Sequence, residues 1–185
     1  MAQLKNHEVT RFLARPDWRY TLFLVYGPDH GLAAERASAL AEASGVPLDD
    51  PFNAIRIDAT AASASPDRLI EEAYTVGMFG GQRLIWVRGA GNDRTLLGQI
   101  ERLLAEPPAE TIIIVEAGDL KKGGLRAAVE KATSGLAIPC YADNERDIQN
   151  LIDQTFSRAD QRLELDARQF LMSHLGGDRA ASRAE

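Results

Sequence analysis

Five short apolar runs, separated by stretches with helical spacing, constrain the fold of this chain more than any other feature. The fourth run, Ile112-Ile113-Ile114-Val115, places four branched aliphatic residues in succession. A strand that is apolar at successive positions needs cover on both faces, which is typical of a parallel sheet between helix layers. The predicted strands are 20–26, 54–58, 83–87, 111–115 and 135–141. Pro139 predicts that the last of them is an edge strand.

The segments between the runs carry helical signals. Gly45 is a plausible C-cap for the second predicted helix. Ser65 would be the N-cap of the third, with Pro66 in its first turn and Gly77 at its end. The predicted helices are 8–14, 29–44, 65–76, 92–105 and 124–133. This alternation predicts right-handed crossovers and one α/β domain of about five parallel strands, assigned to residues 1–142.

The pattern changes after Tyr141, because no further strand follows it. Residues 143–157 and 166–174 have helical spacing, which predicts an all-helical unit over 143–185. Two amphipathic helices cannot bury both their apolar faces alone. The chain also ends inside a polar stretch without a cap, so we expect this unit to be truncated.

Composition excludes several classes of function. The formal net charge of −6 argues against nucleic acid as the main partner, because phosphate binding requires a basic surface. A single cysteine, Cys140, cannot form an internal disulfide and fits a reducing cytoplasm. No apolar run approaches the length of a membrane span, and the N-terminus has no signal-peptide core. We therefore expect a cytoplasmic protein with no membrane partner.

The loop after the first strand occupies the place of a phosphate-binding loop but lacks its chemistry. It reads Gly27-Pro28-Asp29-His30-Gly31 and opens the first long helix. The phosphate-loop pattern requires a glycine, a lysine and a hydroxyl residue at its last three positions. Counted from Gly27, those positions hold Leu32, Ala33 and Ala34. A helix N-terminus alone is a weak anion site, so the loop is interpreted as degenerate and no cofactor is expected.

No other group of residues predicts a catalytic or metal site. Glu116 ends the fourth strand, where a nucleotide hydrolase would place a carboxylate, but no lysine accompanies it. Cys140 has no evident activating base and is interpreted as a small buried residue. The three histidines share no metal-ligand spacing.

Two large apolar residues, Met78 and Phe79, stand between glycines before the third strand. Glycines mark a loop, and loops lie on the surface. Apolar groups on a surface loop suggest a pocket in a partner. The alternative is that both side chains fold back under the next strand. The segment alone favours that alternative, because most large apolar residues are interior.

Three stretches, taken in order, resemble the delta subunit family of bacterial DNA polymerase III. They are 25–32, with the degenerate loop; 77–85, with the glycine-flanked apolar pair; and 116–179, from Glu116-Ala117-Gly118-Asp119 to Leu175-Gly176-Gly177-Asp178-Arg179. The resemblance implies an AAA+-like domain, a helical lid over 143–185 and no ATP hydrolysis. It also implies that a Leu-Phe-like pair enters a hydrophobic pocket of the ring-shaped beta sliding clamp. Met78 and Phe79 occupy the positions of that pair, flanked by Tyr74, Thr75, Gly77 and Gly80.

The implied function is mechanical rather than catalytic. A delta subunit binds the clamp and opens the ring during clamp loading in DNA replication, and polymerase activity belongs to the holoenzyme. The implied partners are the clamp, the gamma/tau ATPase and delta-prime subunits, and primer-template DNA within the assembled loader. The resemblance also implies a C-terminal collar domain in family members, which we expect to be absent from this chain. The alternatives are a small kinase-like nucleotide-dependent α/β enzyme with an atypical phosphate loop, and a scaffold that uses the lid for protein contacts.

Overall fold

The five apolar runs form one parallel sheet. A computed structural model describes residues 3–77, 80–141, 149, 152–153, 155–157, 161 and 163–174. The strands lie in the order β2-β3-β4-β1-β5, and each neighbouring pair is parallel. They are β1 (Leu22–Tyr26), β2 (Ala54–Asp58), β3 (Arg83–Ala90), β4 (Thr111–Ala117) and β5 (Gly135–Pro139). The predicted strands are confirmed, and β5 with its proline is an edge strand.

Helices cover both faces of the sheet, as the continuous apolar strands predict. In the α/β part they are α1 (Asn6–Ala14), α2 (His30–Ala43), α3 (Ala59–Ala62), α4 (Arg68–Tyr74), α5 (Arg94–Ala105) and α6 (Gly124–Lys131). Residues of α3, α4, α5 and α6 pack with Leu24, Ile85 and Ile113 on one face. Residues of α1 and α2 pack with Phe23, Val25 and Ile114 on the other face.

The third predicted helix begins and ends differently from the prediction. Ser65 is not an N-cap and Pro66 is not in a first turn, because α4 begins at Arg68 with Asp67 before it. The preceding residues form the short helix α3, which the sequence did not predict, and the turn that follows it. The helix also ends at Tyr74, two residues before the predicted end. Side chains from other elements satisfy the backbone groups at both ends, so local capping signals do not set its length.

After the sheet, the described residues are mostly helical. The helix α7 (Leu165–His174) confirms the last predicted helix. Residues 149, 152–153 and 155–157 are also helical. Arg168 of α7 donates to the carboxylate of Asp153, and Gln149 Nε2 lies 3.7 Å from Met172 Sδ. The division at residue 142 falls on residues outside the described ranges and stays a prediction. Within the part of the chain that the structure describes, no helix has the length and apolarity to cross a bilayer.

The parallel sheet places the two candidate loops at opposite edges. Loop 27–31 follows β1 and lies where the strands end. Residues 75–77 and 80–82 precede β3 and lie where the strands begin. The fold therefore does not bring the degenerate loop together with the described residues that flank the predicted clamp-binding pair.

Candidate functional site

The side chain of Arg83 holds the segment that contains the candidate binding residues. Its Nη1 donates to the carbonyl oxygens of Glu72 at 2.7 Å and Thr75 at 2.8 Å. Its Nη2 pairs with Glu72 Oε1 at 2.6 Å. Arg83 is only 3% exposed, and its charge is compensated by that carboxylate. The guanidinium therefore satisfies carbonyls that the end of α4 leaves unpaired.

Three further side chains fix α4 in place. Gln99 of α5 is buried; its Oε1 accepts the Leu69 N–H at 2.6 Å, and its Nε2 donates to Ala62 O at 2.8 Å. Thr111 Oγ1 donates to Ala73 O at 2.9 Å, and Tyr74 Oη donates to Glu106 O at 2.5 Å. The start of α4 is thus tied to α5 and α3, and its end to β4 and the preceding loop. The helix is a fixed support for the segment that follows it.

Beyond α4 the chain turns outward. Thr75 is extended, and its hydroxyl donates to Glu71 O at 2.7 Å. Val76 is 74% exposed. The N–H of Gly80 donates to Gly77 O at 3.0 Å, and both Gly80 and Gly81 have positive φ angles. Met78 and Phe79 lie outside the described residues, so the prediction that their side chains are exposed stays a prediction.

A tight turn before β2 lies against the same arginine. Arg83 Nε is 3.4 Å from Phe52 O, and a Cβ on Gly77 would lie 3.0 Å from Asn53 Oδ1. The Asp50 carboxylate accepts the Phe52 N–H at 2.9 Å and Asn53 Nδ2 at 2.8 Å. The Phe52 N–H, followed by the Asn53 side chain, holds the pKa of Asp50 below its ordinary value. The turn is therefore ordered by its own carboxylate, like an Asx turn.

The degenerate loop uses its backbone donors within the protein. The N–H of Gly27 donates to Gly118 O at 3.1 Å, and that of Asp29 is 3.4 Å from Cys140 O. A Cβ on Gly27 would lie 1.9 Å from Cys140 O, so the close approach of the backbone requires glycine there. The buried Asp29 carboxylate accepts the N–H of Leu32 at 2.8 Å and caps α2. A negative charge thus occupies the helix end that would face a phosphate.

The remaining candidates have structural partners. Glu116 Oε2 accepts from Trp86 Nε1 at 3.0 Å and lies 3.8 Å from Arg88 Nε. Cys140 is fully buried, and burial raises the pKa of its thiol to about 11 despite the nearby Arg36. Among the described residues, no three His, Cys, Asp or Glu side chains are grouped so that they could hold a metal ion.

The sequence analysis assigned no role to Arg83, Gln99 or Thr111. Each carried a weak signal in the sequence. Arg83 and Thr111 each stand directly before a run of apolar residues, and Gln99 lies on the apolar face of α5. A polar residue in such a place, when buried, needs a hydrogen-bond partner. The sequence does not reveal that the hydrogen-bond partners of these three side chains lie in α4 and in the residues beside it.

Comparisons with known proteins place the chain among replication proteins. The family model described as DNA polymerase III, delta subunit, matches residues 23–131. No curated protein matches the sequence. The Bacillus subtilis DNA clamp loader delta protein is similar in structure, with a TM-score of 0.64 and 16% identity, over 90% of this chain and 51% of that chain.

Two structures from Thermotoga maritima are also similar. A DNA polymerase III gamma subunit-related protein has a TM-score of 0.52 and 11% identity, over 92% of this chain and 56% of its own. Domain III of the replication initiation protein DnaA has a TM-score of 0.54 and 11% identity, over 97% of this chain and 78% of its own. At such identities the likeness shows the fold alone, and it confirms the AAA+-like α/β class. The chain spans about half the length of the Bacillus protein.

Proposed function

The chain belongs to the DNA polymerase III delta subunit family, and from this premise we propose that it binds the beta sliding clamp through Met78 and Phe79. The family and the fold support a role in clamp loading. The observation that carries the proposal is the hydrogen-bonded base of segment 74–81, of which the structure describes residues 74–77 and 80–81. Buried Arg83 donates to the Thr75 carbonyl, and the exposed Val76 lies two positions before Met78. Such a base presents apolar side chains to a partner at a small entropic cost.

Ring opening follows from differential affinity. A ligand shifts an equilibrium only by the difference between its affinities for the two states. We propose that the chain binds the opened form of the clamp more tightly than the closed ring, near the interface between two clamp subunits. In this proposal the chain supplies binding energy and no covalent chemistry.

We also propose that the chain does not hydrolyse ATP. Leu32, Ala33 and Ala34 replace the residues that bind phosphate and magnesium. The Asp29 carboxylate at the start of α2 would repel a phosphate group. ATP-driven steps would then belong to the gamma/tau subunits, with delta-prime as a further partner and primer-template DNA bound only by the assembled loader. Residues 143–185 would form the helical lid.

The central test substitutes the apolar pair. Phe79→Ala should weaken clamp binding about thirtyfold to a thousandfold, because anchor residues of this kind contribute about 2–4 kcal/mol. Met78→Ala should act in the same direction but less strongly, because methionine is the more adaptable side chain. The measurement is a titration of the full chain with the sliding clamp of the same organism, paired with a thermal melt of each variant.

Phe170→Ala is the matched control, since this exposed phenylalanine lies on α7 and outside segment 74–81 in the sequence. It should leave clamp affinity unchanged. A Phe79→Ala variant with normal clamp affinity would refute the proposal. A large decrease in the melting temperature of Phe79→Ala would indicate that Phe79 is a core residue, because truncation of a core phenylalanine costs about 3–5 kcal/mol of stability.

A further inference from the structure

Phe52 is an exposed aromatic residue that the clamp-binding prediction does not include. Its side chain is 65% exposed, at the tip of the turn that precedes β2. A phenylalanine buries about 150–250 Å² when it enters a pocket and is among the side chains that dominate interface energetics. An exposed phenylalanine on an ordered turn is therefore a candidate contact residue.

The turn is rigid. Asp50 accepts hydrogen bonds from the Phe52 N–H and the Asn53 amide, and the N–H of Ala54 donates to Asp50 O at 2.8 Å. These bonds fix the backbone on both sides of the phenyl ring. The backbone of the turn would then lose little conformational entropy when a partner binds. The main entropic cost would come from fixing the Phe52 side chain.

The sheet brings this turn beside segment 74–81. β2 and β3 are adjacent and parallel, so the segments that precede them lie at the same edge. One guanidinium, that of Arg83, lies against the carbonyl oxygens of both Phe52 and Thr75. Asn53 also packs at Gly77. The turn and residues 75–77 therefore lie side by side on a shared buried support.

We infer that Phe52 is a second anchor for the same clamp subunit that receives Met78 and Phe79, an inference that rests on the proposed function. A stable protein interface covers about 800 Å² on each partner, which is several times what one aromatic residue buries. A partner seated on segment 74–81 must extend over the neighbouring surface. Among the described residues of this surface, Phe52, Tyr74 and Val76 are exposed large apolar or aromatic residues. The surface that Phe52 meets on the clamp is apolar and continuous with the pocket for Phe79.

Phe52→Ala tests the inference. We expect about tenfold weaker clamp binding, because an anchor at the edge of an interface contributes less than the central residue. Phe79→Ala is measured beside it, and Phe170→Ala serves as the control for loss of an exposed phenyl ring. A second measurement uses the wild-type chain: hydroxyl-radical oxidation of the Phe52 ring should fall when the clamp is added, while that of Phe170 should not.

The outcomes separate the two proposals. If Phe52→Ala binds the clamp normally while Phe79→Ala does not, the inference is wrong and the proposed function stands. If Phe79→Ala binds normally, the proposed function fails. If Phe52→Ala is unstable, the oxidation of the wild-type ring decides, and an unchanged oxidation rate in the complex overturns the inference.

Discussion

Cys140 is a buried thiol at the carboxyl edge of the sheet, beside the guanidinium of Arg36. Arg36 Nη1 donates to the Pro139 carbonyl and lies 3.9 Å from Cys140 Sγ. Burial raises the pKa of the thiol to about 11, and the positive charge of Arg36 only partly opposes this. The folded protein therefore keeps the thiol protonated and out of contact with solvent.

We expect Cys140 to react with a thiol reagent at neutral pH only when the chain opens, because the thiolate is the reactive form. The thiol ionises near its ordinary pKa of 9.0 in the unfolded chain and near 11 in the folded one. Between these values the unfolded state binds fewer protons, so stability falls as pH rises. Over this range the wild type should lose about 2–3 kcal/mol of unfolding free energy relative to Cys140→Ala.

Denaturant melts from about pH 8 to pH 11 measure this difference, and the Cys140→Ala variant keeps every other ionisable group. If a thiol reagent labels Cys140 in the native protein as fast as in the denatured protein, the thiol is accessible. The same conclusion follows if the difference in unfolding free energy between wild type and Cys140→Ala does not change with pH.

At the scale of elements, α4 depends on its neighbours rather than on its own sequence. Seven residues are too few for a helix to be stable alone in water. Gln99 satisfies a donor at its start, and Arg83 and Thr111 satisfy acceptors at its end. The helix is thereby fixed to α5, β3 and β4. The position of Thr75, where the chain leaves the helix, follows from these bonds and from the one that Arg83 donates to its carbonyl.

Arg83→Met should destabilise the protein by about 3 kcal/mol, at the lower end of the cost of breaking a buried ion pair, because Glu72 is partly exposed. The change leaves Glu72 and two carbonyl groups without the arginine. Clamp affinity should fall as well, because the base of segment 74–81 loosens. Denaturant unfolding and a clamp titration measure the two effects.

Arg102→Met is the matched control. Arg102 Nη1 pairs with Asp67 Oδ1 at 2.5 Å, but both side chains are more than half exposed. Exposed pairs contribute about 0–1 kcal/mol, so this variant should remain near wild type. Equal effects of the two substitutions would show that the Arg83 pair is no more important than a surface contact.

At the scale of the whole molecule, the sheet separates two edges that carry different candidate loops. The edge where the strands end carries the degenerate loop, in which the Gly27 N–H donates to Gly118 O and the Leu32 N–H donates to the Asp29 carboxylate. The edge where the strands begin carries the surface around Arg83. In an AAA+-like fold without a working phosphate loop, we expect the second edge to carry the function.

Calorimetry of the full chain with ATP and magnesium should show no binding up to about millimolar nucleotide. The lysine that would contact the phosphates is absent, and Asp29 places a carboxylate at the helix end. A nucleotide-binding member of the clamp loader is the positive control. Micromolar affinity for ATP would instead favour the kinase-like enzyme.

Much of the fold could be predicted from the sequence, because continuous aliphatic runs such as Ile112–Val115 have few other stable arrangements. Pro139 identified an edge strand because it lacks an N–H for a second neighbour. The limits of α4 could not be predicted, because the groups that satisfy its ends come from residues up to 38 positions away. The role proposed for Met78 and Phe79 came from resemblance and still depends on the binding test.

The sequence by itself determined the α/β class, the five strands and the loss of the phosphate-binding residues, because these depend on local side-chain pattern and residue type. Only the tertiary structure decided which segments share an edge. The strand order β2-β3-β4-β1-β5 sets Phe52 beside segment 74–81 and places both away from the degenerate loop. Strand order and the burial of Arg83 result from packing between distant parts of the chain, which no local pattern records.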